Sequence, residues 1–480
     1  MAFVGSAPGV KARTGVRGSW CRRWVMAEKS AVAEKGRGTA KDVFLDKLLD
    51  IRGPVSPLAE SVRESGESAL QLATPPGGKT EEWRFTNINE LYKQAFATPD
   101  SNQAESSTAY FSDEASVRVL FTDGAFNEQL SDNLTSLEGV KIGRLGDFSS
   151  DEVERVLGVT MGKITGTEKG GFFAQLNAAC STDVFVISVG DDVVVDKPVQ
   201  LVFGSSQGPD AEAFVVSHPR IVVLTGRSSS VSVVEHHASA SPSFTNVCTS
   251  ASVGDNSKLN YSVINESKEE TYQISTVQLD AGRDSTASLL SVGAGGQFSR
   301  TTASVDLVDT GSHGEILGLG LSMDKRIVDL TSDIIHSSPH CTSNQLQKNI
   351  ATDRSRTIFR GKVVVTREGK GTASEQLCRS LLLSKRATVD AIPSLEIDTD
   401  DVQCSHGATV ADLEEEQIFY ITARGLTVEQ ARFMLMQSFV EEVLQAVPLS
   451  DCKERVVEIV RSIPATLDDD GEKKGRFMSV

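Results

Sequence analysis

The chain has 480 residues, too many for one ordinary compact core, which points to two or three domains. Its 39% hydrophobic and 24% charged content suits a folded soluble protein, and no apolar run reaches the roughly 18 residues that a membrane helix needs. A formal charge of −17 repels phosphate backbones and argues against nucleic acid as the main partner.

Charge is unevenly placed. Lys11, Arg13, Arg17, Arg22 and Arg23 precede the first acid, Glu28, among Gly, Ala, Ser and Val. An acid-free, Arg-bearing start without a long apolar core reads as an organelle transit peptide over residues 1–27. Seven cysteines are scattered with no C-x-x-C pair, so neither a disulfide framework nor a four-thiolate site within this chain is expected.

Residues 28–180 read as a mixed, largely helical N-terminal domain. Apolar residues recur at helical spacing over Ala40–Leu49, stopped by Gly53 and Pro54, and over Ser61–Leu72, stopped by Pro75 and Pro76. A strand-like piece, Val117–Phe121, runs into a turn at Asp123–Gly124.

Residues 181–412 change character. Short Val/Ile/Leu/Ser/Thr runs such as Val184–Val189, Val199–Phe203, Ile221–Leu224, Val231–Val234, Leu259–Val263 and Ile274–Leu279 alternate with turn clusters, and no long helix separates them. Gly226, Gly254, Gly282 and Gly311 recur every 28, 28 and 29 residues. A fixed period of this size marks a solenoid, and strands without helices make it a β-helix with one continuous apolar core. The glycines are expected at corners because they accept positive φ. A β-sandwich, the alternative, calls for hairpin signals such as Asn-Gly, and this region has none.

Residues 413–480 read as helical again. Thr427 opens a run to Val447 with Ala431, Met434, Leu435, Phe439, Val443 and Leu444 at helical spacing; Pro448 stops it, and Ser450 caps a second helix to Ile463. These helices are expected either to cover the terminal coil or to form a docking surface.

Three motif matches fail on inspection or stay open. Gly78-Lys79-Thr80 ends like a P-loop, but Ala73 stands where that motif needs glycine, and Pro75–Pro76 stiffen the cradle. Gly204-Ser205-Ser206-Gln207-Gly208 matches G-x-S-x-G, yet Pro209 and a strand follow instead of a helix. His336, His340 and Cys341 are metal-ligand types that form either a loop site or a polar corner. His236 and His237 are adjacent in a strand and point to opposite faces, so only one of them can serve a given site.

Cys404-Ser405-His406 is the most informative set. In a strand, i and i+2 share a face, which puts a thiol and an imidazole together as tentative ligands for iron or a sulfur species. Arg386 and Asp390 lie upstream, and Asp398, Asp400 and Asp401 crowd the segment. One thiolate and one imidazole leave a tetrahedral ion short of ligands, so a second chain must supply the others.

The segments Ser394–Ile397 and Asp400–Val410, with Cys341–Leu346, Ser355–Val363, Lys79–Thr86 and Arg424–Val443, resemble the SufB/SufD family of iron–sulfur cluster assembly proteins over roughly residues 40–463. The C-S-H-G-A-T reading at Cys404–Thr409 is that of the SufD side of the family; the SufB side carries H-E-A-T. The resemblance implies a mainly β fold, a right-handed parallel β-helix between two helical domains. It implies a non-catalytic scaffold that pairs with SufB through the β-helix and docks the SufC ATPase on its C-terminal helices, with a homodimer open to the isolated chain. It implies that nascent clusters form transiently at the SufB interface, beside His406 and Cys404, with no cofactor held stably by this chain alone. With the transit-like start it implies a plastid location. From the residues alone, two other classes stay open: a β-helix enzyme acting on polysaccharides and a purely structural, protein-binding solenoid.

Overall fold

A computed structural model describes residues 40–98, 105–164, 171–206 and 213–463. The expected transit peptide and the tail beyond residue 463 lie outside them. The protein is mainly β, a solenoid of about 7 turns with helices at both ends of the chain. From Arg220–Thr225 onward, successive strands alternate between two sheets, and each pairs in parallel with the next but one. The first sheet runs from Val140–Arg144, antiparallel to Phe185–Val189, through Arg220–Thr225, Ser243–Val253, Thr271–Ala281, Phe298–Leu307, Ile327–His336 and Arg356–Val365 to Thr388–Ile397. The second runs from Val117–Thr122 through Val199–Gly204, Ser230–His237, Lys258–Asn265, Thr286–Gly293, His313–Ser322, Thr342–Ala351 and Thr372–Leu382 to Val402–Ala411. Ser243 pairs with Thr271 and Lys258 with Thr286, a coil of 28 residues.

The interior is the stack of inward-facing residues, among them Val223, Val233, Val247, Leu259, Val277, Leu289, Val305, Ile334 and Phe359. β-Branched and aliphatic residues dominate because a coil has no other place to bury them, and each layer is closed only by the coils above and below. The strand expected at Val117–Phe121 is laid into this stack, pairing in parallel with Val199–Gly204. Its Asp123–Gly124 turn has φ of 53° and 82° and returns the chain as a two-residue hairpin onto Ala125–Asn127.

The recurrent glycines act differently from the expectation. Gly226, Gly254 and Gly282 do not adopt positive φ; the left-handed positions are Ser228, Asn256, Asp284 and, one coil on, Gly311. Thr286 pairs with His313, so Gly311 stacks on Asp284 rather than on Gly282. The first three glycines are needed for closeness. A Cβ on Gly254 would lie 2.5 Å from the carbonyl oxygen of Gly226, and one on Gly282 would lie 2.8 Å from that of Val253. The corner is bare of side chain where coils touch, and the left-handed residue two positions on is a small polar one that tolerates it.

Each sheet's outer face is covered by one helical region. On the first sheet, the helices α1 (Ala40–Asp50), α2 (Glu60–Leu70), α3 (Ser150–Ile164) and α4 (Gly171–Cys180) form the N-terminal layer, with Phe44, Leu48, Phe172 and Phe173 packed on Phe244, Tyr272 and Phe298. Helix α4 is buried on every side, so it lacks the one-sided pattern that marks a helix in sequence.

On the second sheet lie α6 (Val428–Leu444) and α7 (Ser450–Ser462), whose Met436, Val440, Val443, Leu444, Val456 and Val460 pack on Val234, Ile264, Val292, Leu319 and Leu346. Thr427 caps α6 through a reciprocal pair of bonds with Gln430, whereas Ser450 is the first residue of α7 and gives its backbone N–H to Glu114. These helices therefore cover the flank of the solenoid, not its last coil. Between coil and flank runs a helix absent from the expectation, α5 (Glu415–Thr422). It buries no residue and leaves Phe419 and Tyr420 74% and 60% exposed.

Candidate functional site

The last coil is open. Thr388–Ile397 ends one sheet and Val402–Ala411 ends the other, and among the described residues each has a hydrogen-bonded neighbour on one side only. Burial falls off along both: every residue of Val402–Ala411 is partly or fully exposed. Such an edge offers unpaired N–H and C=O groups to another chain.

Cys404 and His406 sit in this edge strand. Cys404 pairs in register with Ser374, and His406 with Gln376. Ser374, Gln376 and the partner of Ala408, Cys378, are all buried, so the Cys404–His406 side of the strand continues an inward-facing column. Cys404 is half-buried and packs against the last layer of the interior. Burial raises the pKa of its thiol, partly offset by a bond from the Ser374 backbone. His406 is exposed.

Beneath the pair the interior turns polar. Ser374 Oγ meets Ser343 Oγ at 2.8 Å, and Ser343 Oγ meets His336 Nε2 at 2.9 Å. Gln376 Nε2 donates to Gln345 Oε1 at 2.7 Å, and Gln345 in turn reaches Ser332. Two hydrogen-bonded files thus run from Ile327–His336 of the first sheet through Thr342–Ala351 to Thr372–Leu382 of the second, and end one coil beneath Cys404 and His406. They restrain the rotamers under the site, and among the described residues Gln376 Oε1, beneath His406, has no partner.

Two family descriptions match the chain. The SUF system FeS cluster assembly SufBD core domain covers residues 206–439, and the SufBD protein N-terminal region covers residues 39–201. The chain belongs to the SufB/SufD family. Among its relatives are "Protein ABCI7, chloroplastic" of Arabidopsis thaliana, 30% identical over 84% of this chain and 86% of that one. SufD of Escherichia coli is 28% identical over 80% of this chain and 88% of its own. A SufBD family protein of Synechocystis is 26% identical over 90% and 97%. This is a family of iron–sulfur cluster assembly.

In this SufB/SufD chain the other sequence candidates fall apart. His336 is buried and bonded to Ser343, Cys341 is buried against Ser312, and His340 sits at a corner with φ of 59°. They do not converge, so the polar-corner reading holds and no loop site forms there. Asp390 is taken by Arg356 at 2.6 Å, and Arg386 lines a charged corner cavity with Arg326 and Arg354; neither belongs to the Cys404–His406 face. Lys79 to Thr86, expected as part of a family motif, has a structural use. Trp83 lies under the Arg300 guanidinium at 4.0 Å, and Thr86 Oγ1 donates to Asp329 at 2.5 Å. His237 faces inward against Glu235, and His236 faces outward towards Glu266 and Cys452. That outward group joins residues from three distant segments and carries no local sequence signal.

Among the described residues, no third ligand joins Cys404 and His406. No helix among them is long and apolar enough to cross a membrane.

Proposed function

We propose that this chain is the SufD-type, non-catalytic scaffold subunit of an iron–sulfur cluster assembly complex. Its open end pairs with a SufB subunit, and a nascent cluster is assembled as cargo where the two meet. The observation that carries this reading is the last coil: two edge strands with free hydrogen-bonding sides, with Cys404 and His406 on one face of the outermost strand. Two ligands cannot complete a tetrahedral iron, and an edge strand is a template for a second solenoid that would bring the rest. His406 serves as a lone-pair donor or proton carrier, and Cys404 as a thiol at the same interface; the cluster stays transient, and this chain alone holds no cofactor stably.

The SufC ATPase docks on the C-terminal helices. α6 buries Met436, Val440 and Val443 on the solenoid, while its Val428 and Met434 are about half exposed and Phe419 and Tyr420 of α5 more strongly so. A plastid is the compartment, in line with the acid-free, Arg-bearing start and with a relative named chloroplastic.

Co-expression with a SufB and a SufC partner, followed by gel filtration, tests the assembly. One species containing all three is expected. Elution of this chain alone, with the other two together, contradicts it.

A further inference from the structure

His236 stands near the end of Ser230–His237 on the outer face of the second sheet. Glu266 follows the next strand, Lys258–Asn265, one coil above, and Cys452 lies in the first turn of α7. One ligand atom from each lies within 4.8 Å of the others. His236 is fully buried and the Glu266 side chain is 4% exposed. Among the described residues, neither His236 Nε2 nor Glu266 Oε1 has a hydrogen-bond partner. They sit 3.6 Å apart. That is too long for a hydrogen bond, but near the roughly 3.4 Å between two ligands of one tetrahedral ion with bonds of about 2.1 Å.

We propose that His236, Glu266 and Cys452 form a site for a divalent first-row transition-metal ion of the zinc or ferrous class, separate from the solenoid end. Thiolate, imidazole and carboxylate together suit that class; magnesium and calcium take oxygen ligands and are disfavoured by the sulfur. Arg455 supports the set. Its Nε donates to Glu266 Oε2 at 2.6 Å and its Nη2 to Cys452 Sγ at 3.1 Å. This leaves Oε1 turned towards His236 and offsets one of the two negative charges that thiolate and carboxylate bring. Uptake of the ion forms the metal–sulfur bond and releases the Cys452 proton to solvent. It also makes His236 Nδ1 a donor. The neighbours of that nitrogen are Gln200 Nε2 at 3.3 Å and Cys452 Sγ at 4.0 Å. Glu266 lines a cavity of about 540 Å³ with Lys268, Arg326 and Ile459. Of the three ligands only Glu266 reaches that cavity; His236 and Cys452 do not line it. A bound ion would fasten α7 to two coils of the solenoid.

The test uses the full chain, reduced and stripped with chelator, with Co²⁺ as the probe. A single equivalent should give a thiolate-to-cobalt charge-transfer band that Cys404→Ser retains and Cys452→Ser abolishes. Zn²⁺ should displace the band and raise the Tm of the wild type. Should Cys452→Ser fail to fold, Glu266→Gln decides: it keeps an acceptor for Arg455, its fold is checked by circular dichroism, and it should weaken Co²⁺ binding by about tenfold or more. No band in the wild type, a band lost in Cys404→Ser but kept in Cys452→Ser, or an unchanged affinity in folded Glu266→Gln overturns the site.

Discussion

Arg300 and Asp329 face each other in register across adjacent coils, 2.5 Å apart and buried, with the Trp83 ring over the guanidinium. The pair and Thr86 tie the N-terminal layer to the solenoid across more than 200 residues of sequence. Removing one partner strands the other as a buried charge. Arg300→Met should therefore cost about 3–5 kcal/mol, and replacing both by apolar residues should restore much of it. Urea unfolding of the two variants checks this. A loss below about 1 kcal/mol for Arg300→Met would mean that the pair contributes little.

The corner geometry separates two substitutions two residues apart. Gly254→Ala drives a methyl into the Gly226 carbonyl and should cost about 1–3 kcal/mol. Asn256→Gly sits at φ of 54°, where glycine is at ease, and should stay within about 1 kcal/mol of the wild type. Equal losses at the two positions would show that close approach does not govern the corner.

Burial pushes the pKa of His336 from 6.5 down to about 4. The unfolded chain then binds a proton that the folded chain does not over the range between those values, so stability rises with pH across it and is lost on acidification. From pH 7 to pH 5 the loss from this group alone is on the order of 2 kcal/mol. His336→Asn, which keeps a partner for Ser343, should flatten that slope. An unaltered slope between pH 7 and 5 would mean that His336 is already charged in the fold.

The exposed aromatic pair of α5 gives a docking test that spares the fold. Phe419→Asp with Tyr420→Asp removes surface apolar area and touches no buried residue, so stability should change by less than about 0.5 kcal/mol per position. Retention of the SufC ATPase on affinity-tagged chain should drop at least about tenfold. Full retention would place the ATPase elsewhere.

The solenoid was legible because it repeats. A 28-residue period and strand-length apolar runs survive any detail of side-chain packing, and Val184–Val189 through Ile274–Leu279 all became strands of the two sheets. The reason for the glycines was not legible: close approach and positive φ both select glycine, and only coordinates show that Gly254 serves the first and Gly311 the second. α4 and α5 escaped for opposite reasons, one buried all round and the other not at all, so neither shows a stripe. The shared face of Cys404 and His406 followed from strand alternation, whereas the serine and glutamine files beneath them depend on register between coils. His236, Glu266 and Cys452 come together only through the docking of α7.

The central claim is that the open end, through His406, takes part in cluster assembly. The direct measurement is iron- and sulfide-dependent cluster formation by the reconstituted complex, with assembly of the complex checked by gel filtration. Alanine lacks the imidazole lone pair but leaves the edge strand's backbone in place. His406→Ala should therefore lower cluster yield by about tenfold or more in a complex that still assembles. Cys404→Ser should be milder if the half-buried thiol mainly packs. An unchanged yield for His406→Ala in an intact complex would contradict the account.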